Sequence, residues 1–149
     1  MRRLAPVFLA ALLIAATAGA AAEDAVTIPI PRGGRAVNVG LQHGPMQIRS
    51  VRLKNTPSRR DLRASRRDRD DTTTLRWIFY VANGGRRDWR ARIRVRVVAA
   101  DNRLLADDSR ADEVDARKWK DHISVWTKIR TVDYPAAETV RVTVDFRPS

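Results

Sequence analysis

Four arginines at alternate positions are the residues with the clearest chemical potential: Arg90, Arg92, Arg94 and Arg96. Alternate residues of a β-strand point to the same face about 6.5–7 Å apart, so a strand here would align four guanidinium groups. We call these four residues the arginine row. Positive charges in such a line repel one another unless negative groups lie opposite. Either acidic residues such as Asp145, Glu138 or the acidic segment after the row neutralise it, or it binds an anionic partner.

A second candidate surface lies near the end of the chain, where Trp126, Lys128 and Arg130 alternate with apolar residues. On a strand these three side chains point away from the apolar ones. Trp126 is then either covered by residues 108–120 or exposed. If it is exposed, the three residues form a patch for binding a protein or a glycan, since tryptophan and arginine are typical of such patches. Nucleic acid is not the expected partner, because Tyr80 and Trp126 are the only outward aromatic residues available for base stacking.

Catalytic chemistry has little support in the sequence. The chain has two histidines and no cysteine, so a thiol nucleophile is excluded. Its serines lack the turn that exposes a nucleophile in hydrolases. Asp121 and His122 are neighbours, and neighbours on a strand point to opposite faces. We therefore predict no catalytic residues and a protein that is not an enzyme. An enzyme is the remaining alternative, and it would need a pocket that joins His43 or His122 to carboxylates distant in sequence.

One acidic cluster stands out in this basic chain: Asp107, Asp108, Asp112, Glu113 and Asp115. Calcium takes several oxygen ligands from a flexible loop, but the spacing here matches no EF-hand and lacks its central glycine. We expect these carboxylates to pair with arginines or to begin a helix. No metal site and no cofactor is predicted, and weak calcium binding is the alternative.

The elements that position these residues are predicted as strands, because apolar residues recur with period two and turn residues separate the runs. The change of apolar face between Ile48 and Val51 predicts a bulge or a twist near Ser50. The predicted strands cover residues 26–30, 36–41, 46–54, 74–82, 89–99, 123–130 and 139–147.

Two segments do not read as strands. Residues 55–72 contain one sizeable apolar side chain, Leu62, among many charges, and are predicted to be a long mobile loop. Residues 107–120 are ambiguous between a short helix with Asp112 as N-cap and an irregular crossover. With no repeating helix between the strands, the pattern favours one all-β domain over residues 23–149, an antiparallel sandwich of about seven strands.

A resemblance to known domains is carried by two runs of the chain: LRWIFYVANGGRRDWRARIRVRVVAADNRLLADD, followed by ISVWTKIRTVDYPAAETVRVTVDF. These runs resemble immunoglobulin-like or fibronectin-III-like domains of bacterial envelope proteins. The similarity covers about residues 46–147. Tyr134 is placed like the corner tyrosine of such domains, although Pro135 departs from their pattern. The resemblance implies an immunoglobulin-like sandwich, and it implies no activity because such sandwiches serve many functions.

The N-terminus has the order of a secretory signal peptide. Arg2 and Arg3 precede an uncharged apolar run over residues 4–18, and small residues follow up to Ala22. This order predicts a signal peptide over residues 1–22 and a periplasmic or secreted product. An uncleaved anchor is the alternative, since the run approaches the roughly 20 residues that span a bilayer. No second stretch is long enough to span one, and no cysteine follows for lipid attachment.

The formal net charge of +12 at pH 7 indicates which classes of partner are expected. A charge this far from neutral attracts anionic surfaces and acidic proteins. We therefore expect an exported, non-enzymatic sandwich that binds an envelope protein or an anionic envelope polymer or lipid through a basic strand face. The alternative is a subunit or assembly factor of an envelope complex that pairs through a sheet edge.

Overall fold

Strands make up most of the computed structural model, which describes residues 24–149. The predicted signal peptide, residues 1–22, lies outside the described residues. The described part contains eight strands, a short α-helix and a 3₁₀ helix. In chain order these are β1 Asp24–Pro29, β2 Val37–His43, β3 Met46–Lys54, α1 Arg59–Ser65, β4 Thr72–Asn83, β5 Trp89–Ala99, β6 Leu104–Val114, β7 Lys118–Arg130, the 3₁₀ helix Thr131–Ala136 and β8 Ala137–Pro148.

The strands form two four-stranded sheets in which every neighbouring pair is antiparallel. The first sheet has the order β1-β8-β5-β6, and the second has the order β2-β3-β4-β7. The predicted all-β fold with antiparallel sheets is confirmed. The number of strands is eight in residues 24–149 rather than about seven.

The hydrophobic core lies between the sheets and follows the alternation of the central strands. Ile93 and Val95 of β5 are fully buried, as are Trp77 and Phe79 of β4, and one cluster joins the apolar residues of both sheets. The Trp77 indole Nε1 donates a hydrogen bond of 2.9 Å to the Thr127 Oγ1 atom on β7. This bond satisfies a buried donor that would otherwise destabilise the fold.

The predicted bulge in β3 is confirmed. Pairing between β3 and β4 shifts between Ile48 and Ser50, and the pairing with β2 shifts beside it. Gly40 on β2 has a φ of +66°, a conformation that favours glycine. Because Arg49 is the extra residue, Ile48 and Val51 both face the core and are both fully buried.

Residues 107–120 form neither the helix nor the irregular crossover offered by the sequence. Most of this segment belongs to β6, which pairs with β5 along its length, and Asp112 lies opposite Ala91 rather than capping a helix. Only Ala106 and Val114 of this strand are buried, because β6 lies at the edge of its sheet. An edge strand that buries so few residues has no clear period-two pattern, so it was not predicted from the sequence. β6 is therefore the strand that raises the number from about seven to eight.

Residues 55–72 are not one continuous loop, because they contain helix α1. The Ser58 Oγ atom accepts a hydrogen bond from the Asp61 backbone N–H at 3.1 Å, and the Asp61 carboxylate accepts one from the Ser58 backbone N–H at 2.8 Å. The hydrogen bonds from the Ser58 side chain and backbone lower the pKa of Asp61. Leu62 packs against the core. No helix in residues 24–149 is long and apolar enough to cross a membrane.

Candidate functional site

The residues predicted to bind a partner lie on two different surfaces. The arginine row belongs to β5 and points away from the core on the outer side of the first sheet, which we call the first-sheet face. Trp126, Lys128 and Arg130 belong to β7 and lie on the outer side of the second sheet, the second-sheet face. The structure therefore does not bring the two groups together.

Two members of the arginine row are neutralised by one carboxylate of β6. The Arg94 Nε and Nη2 atoms donate to the two oxygens of Asp107 at 2.9 and 2.7 Å, and the Arg96 Nε atom lies 3.6 Å from the same carboxylate. The hydrogen bond from Arg94 is the main cause of the lowered pKa of Asp107. This two-point geometry is typical of a strong arginine–carboxylate pair.

The remaining members of the row also face acidic residues. Arg92 lies opposite Asp145 of β8, and Arg90 lies opposite Glu113 of β6 and Arg147 of β8. Neither arginine forms an ion pair within residues 24–149. The Asp145 carboxylate instead forms an ion pair with Arg147, whose Nη2 atom lies 2.9 Å from it. In the described residues, the ion pairs of the row are therefore those of Arg94 and Arg96 with Asp107 of β6. Glu138, at the start of β8, forms no ion pair in the described residues.

The second-sheet face is arranged differently, with basic and aromatic residues alternating across three strands. Trp126 of β7 lies opposite Arg76 of β4, and Tyr80 of β4 lies opposite His122 of β7. The outward positions of β3 add further positive charges beside β4. The cationic residues of the interior of this face are Arg49, Arg52, Lys54, Arg76, Lys120 and Lys128.

Guanidinium groups on this face rest on aromatic rings. The Arg52 Cζ atom lies 5.8 Å from the centre of the Tyr80 ring. The Arg76 and Arg110 Cζ atoms lie 5.5 and 5.3 Å from the centre of the Trp126 ring. Distances below about 6 Å are those of cation–π contacts. Trp126 is 38% exposed, so it is not covered by residues 108–120, although Arg110 of that segment contacts its ring.

An apolar residue at the centre of the second-sheet face is covered by these long side chains. Ile78 points outward, opposite Arg52 and Ser124, yet it is only 9% exposed. The Arg76 Nε atom donates a hydrogen bond of 3.2 Å to the Ser124 Oγ atom, which fixes the arginine stem across the strand. Arginine side chains commonly cover apolar surface in this way while the charged head stays in water.

Acidic partners are missing from the interior of the second-sheet face. Ion pairs of this face within residues 24–149 lie at its margins, where Arg130 contacts Asp133 at 2.8 Å and Arg110 lies 4.0 Å from Asp112. None of the six interior cations named above has a carboxylate within ion-pair distance in that range. The face therefore carries uncompensated positive charge.

A groove borders this surface where β4 and β7 shift register. It is lined by Tyr80, Trp119 and His122, with Arg49 and Lys120 at the same site. Trp119 is 61% exposed, and its indole lies against the backbone of the turn after β4. A Cβ atom at Gly84 would approach that ring to 3.2 Å, so the glycine permits the close contact.

The two histidines do not form a catalytic arrangement with a hydroxyl group in the described residues. His43 stacks on Phe146 with ring centres 5.6 Å apart, and its Nδ1 atom lies 3.4 Å from the Asp24 carboxylate. Asp121 accepts a hydrogen bond from the backbone N–H of His122, not from its ring. Residues 24–149 contain no group of three or more His, Cys, Asp or Glu placed to hold a metal ion. The acidic cluster is spread along and just beyond β6.

The sequence pattern points to Trp126 and Lys128 but not to Arg52, Arg76 and Arg110, which contact the aromatic rings of this face. Their outward positions on strands could be inferred for Arg52 and Arg76. Their contacts with Tyr80 and Trp126 depend on pairing between strands far apart in sequence, which alternation does not reveal. Neither the models of known protein families nor the curated proteins provide a match for the chain.

Proposed function

We propose that this protein is an exported, non-enzymatic binding module with an immunoglobulin-like sandwich, and that its second-sheet face holds an anionic polymer of the cell envelope. The sandwich supplies a rigid surface, and the sequence of residues 1–22 supports export. The net charge of +12 would raise the local concentration of an anionic partner.

One observation carries the proposal: the interior cations of the second-sheet face have no acidic partners in residues 24–149, whereas Arg94 and Arg96 of the arginine row share the carboxylate of Asp107. Arg76 and Arg52 rest on aromatic rings, while Arg94 makes two hydrogen bonds to Asp107. A guanidinium that is already paired gains little from a second anion. One without a carboxylate partner can form charge-assisted hydrogen bonds with a ligand.

A polymer suits this surface better than a compact ligand. Outward positions of β7 recur about every 7 Å, and Trp126, Lys128 and Arg130 follow one another along this line. Lys54 and Arg76 extend the positive charge across the neighbouring strands. A flexible chain with regularly repeated negative groups can contact several of these cations at once.

Assembly through a sheet edge has less support. On β6, the residues opposite Val95, Ile93 and Ala91 are charged: Asp108, Arg110 and Asp112. Charged residues on the inward side of an edge strand oppose the addition of another strand.

Paired charge reversals test the proposal. The purified protein is titrated with sodium polyphosphate, and the variant Arg52→Glu/Arg76→Glu is compared with Arg94→Glu/Arg96→Glu, which changes the two arginines that pair with Asp107. Both variants change the net charge equally. We expect the first to weaken binding by about tenfold or more, since a charged hydrogen bond contributes about 1.5–3 kcal/mol. The second should change binding by less than about threefold. Equal losses in both variants, or no binding by the unmodified protein, would contradict the proposal.

A further inference from the structure

We infer that the groove lined by Tyr80, Trp119 and His122 binds a sugar ring, so that the partner is an acidic polysaccharide. The inference rests on the proposed function and names the class of polymer to which its anionic partner belongs. It follows from three features of the groove: an indole that no guanidinium covers, a carboxylate that can accept a further hydrogen bond, and cations that two bulges place at the same site.

The two bulges meet at this groove, one on each side of β4. In β3, Arg49 is the extra residue of the bulge. In β7, two residues, Trp119 and Lys120, lie opposite the single residue Ala82 of β4. Arg49, Trp119 and Lys120 all line the groove. Because bulges commonly re-aim side chains beside functional sites, two of them at one groove indicate that its side chains are placed for binding.

Trp119 offers an open aromatic surface, unlike the other rings of the second-sheet face. Guanidinium groups lie over the rings of Tyr80 and Trp126. In residues 24–149 no guanidinium lies over Trp119, which is 61% exposed. The face of an indole carries partial negative charge, and the C–H groups on one side of a sugar ring can pack against it. The indole therefore supplies the apolar platform that a sugar ring needs.

Asp121 adds a hydrogen-bond acceptor to the groove. Its Oδ1 atom accepts a hydrogen bond of 2.8 Å from the His122 backbone N–H, and the carboxylate forms no ion pair in residues 24–149. An ionised carboxylate only accepts hydrogen bonds and repels other anions. Sugar hydroxyl groups can donate to it, whereas ionised phosphates and carboxylates cannot. The segment inside the groove is therefore expected to carry hydroxyl groups, with its negative groups beside the groove.

The cations at the groove suit the negative groups of the same polymer. Neither Arg49 nor Lys120 has a carboxylate within ion-pair distance in residues 24–149. Arg52, which lies over Tyr80, continues the positive charge onto the interior of the second-sheet face. The groove has a volume of about 360 Å³. Sites for small ligands have about 300–1,000 Å³, so the groove accepts a short segment of an anionic chain.

A peptide or a nucleic acid fits the groove less well. An extended peptide adds to a sheet edge with unpaired backbone groups, but the groove lies on the outer side of β4 and β7, which pair with each other. Single-stranded nucleic acid is held by successive exposed rings. Of the tryptophan and tyrosine rings on this face in residues 24–149, only that of Trp119 has no guanidinium over it.

Two polymers with the same anionic group test the inference. Oligogalacturonate and oligo-L-glutamate with equal numbers of carboxylates are titrated separately into the protein by calorimetry. They differ in the sugar ring, so the ratio of their dissociation constants removes most of the contribution of charge. We expect the unmodified protein to bind oligogalacturonate about tenfold more tightly, an effect of the size that one stacked ring gives.

Removing the indole should remove this preference. Trp119→Ala should reduce the ratio to about twofold or less, whereas Trp119→Phe should retain most of it. Leu104→Ala is the matched control, because Leu104 is an exposed apolar residue on the first sheet, and it should leave the ratio unchanged. Thermal unfolding of each variant shows whether it is folded. Because Trp119 is exposed, its replacement leaves the core intact.

Asp121→Asn gives an independent readout, because the two polymers should respond with opposite signs. Loss of the negative charge should strengthen binding of oligo-L-glutamate about twofold. Loss of a charged acceptor for a sugar hydroxyl should weaken binding of oligogalacturonate about threefold. Asp108→Asn removes the same charge from β6 of the first sheet and should change binding of the two polymers equally. A merely structural role of Asp121 would not move the two affinities in opposite directions.

The outcomes separate the inference from the proposed function. Equal binding of the two polymers, tighter binding of oligo-L-glutamate, or a preference that survives Trp119→Ala would overturn the assignment to a sugar, while the anion-binding function stands. Tighter binding of a single-stranded oligonucleotide than of oligogalacturonate would also overturn it. If polyphosphate binds and oligogalacturonate does not, the assignment to a sugar is likewise wrong. If neither binds, the proposed function itself fails.

Discussion

The two outer faces of the sandwich are both rich in arginine, but their guanidinium groups have different partners. On the first-sheet face, Arg94 and Arg96 share the carboxylate of Asp107. On the second-sheet face, Arg52 and Arg76 lie over aromatic rings and have no carboxylate partner in residues 24–149. The difference shows that a line of arginines does not by itself mark a binding surface, because its neighbours decide whether the charge is available.

The source of this difference is the strand that lies beside each set of arginines. β6 supplies acidic residues next to the arginine row, and β7 supplies Trp126 next to Arg76. An ion pair cancels the field of a cation, whereas an aromatic ring orients the cation and leaves its net charge. The first-sheet face is therefore expected to be mainly a solvated surface and the second-sheet face a binding surface.

Removing the core that supports both faces should have the largest effect. Trp77→Ala should lower the free energy of unfolding by about 3–5 kcal/mol, because it leaves a cavity among fully buried side chains. Urea unfolding measures this change. The same truncation at Trp126, which lies on the surface, should cost about 1 kcal/mol or less. Similar losses at the two positions would show that Trp126 has a role in the core.

Adding an acid to the second-sheet face should make it resemble the first. Ser124→Asp places a carboxylate beside the Arg76 Nε atom, which already lies 3.2 Å from the Ser124 hydroxyl. The new pair should reduce polyphosphate binding by about five- to tenfold. Ser124→Asn, of similar size and without charge, is the control and should have a much smaller effect in the same titration. Equal effects of Asp and Asn would indicate steric hindrance instead.

Removing an acid from the first-sheet face should act in the opposite direction. Asp107→Asn removes the carboxylate that Arg94 and Arg96 share, and the lost negative charge should strengthen polyphosphate binding about two- to threefold. Asp108→Asn, which changes the charge equally at the adjacent position, should have a smaller effect. If the two variants behave alike, net charge rather than pairing controls binding.

The pH dependence of stability should reveal the same ion pair with a small effect. The hydrogen bond from Arg94 lowers the pKa of Asp107 in the folded protein below its ordinary value of 3.8. The pair therefore contributes stability above that value and loses it as the pH falls through the folded pKa. Thermal unfolding between pH 5 and 2 should show a shallower decline for Asp107→Asn than for the unmodified protein. Parallel declines would contradict the assigned pair.

The regular parts of the fold could be predicted from the sequence because their burial alternates. Arg92 and Ile93 lie on opposite sides of β5 as period two requires, and the bulge near Ser50 follows from the change of apolar face in β3. β6 was not predicted, because most of its residues on both sides are exposed or only partly buried. Helix α1 depends on the Ser58–Asp61 capping box and on tertiary packing of Leu62. The capping pattern was a usable signal, but the packing was not.

The candidate site was only partly predictable for a related reason. The sequence identifies the arginine row and Trp126 as unusual, but it does not show which residues face them. Asp107 contacts Arg94 from the neighbouring strand β6, and Arg76 contacts Trp126 from a strand about fifty residues earlier. These contacts follow from register and sheet order, which local patterns do not specify.

Mapping the bound face by NMR tests the central claim most directly. Isotope-labelled protein is titrated with polyphosphate, and the changes in backbone amide and indole N–H shifts are assigned to residues. We predict that the largest changes cluster at Arg52, Arg76 and the Trp126 indole, while the arginine row changes little. The largest changes at Arg90 to Arg96, with Arg76 and Trp126 unaffected, would contradict the account.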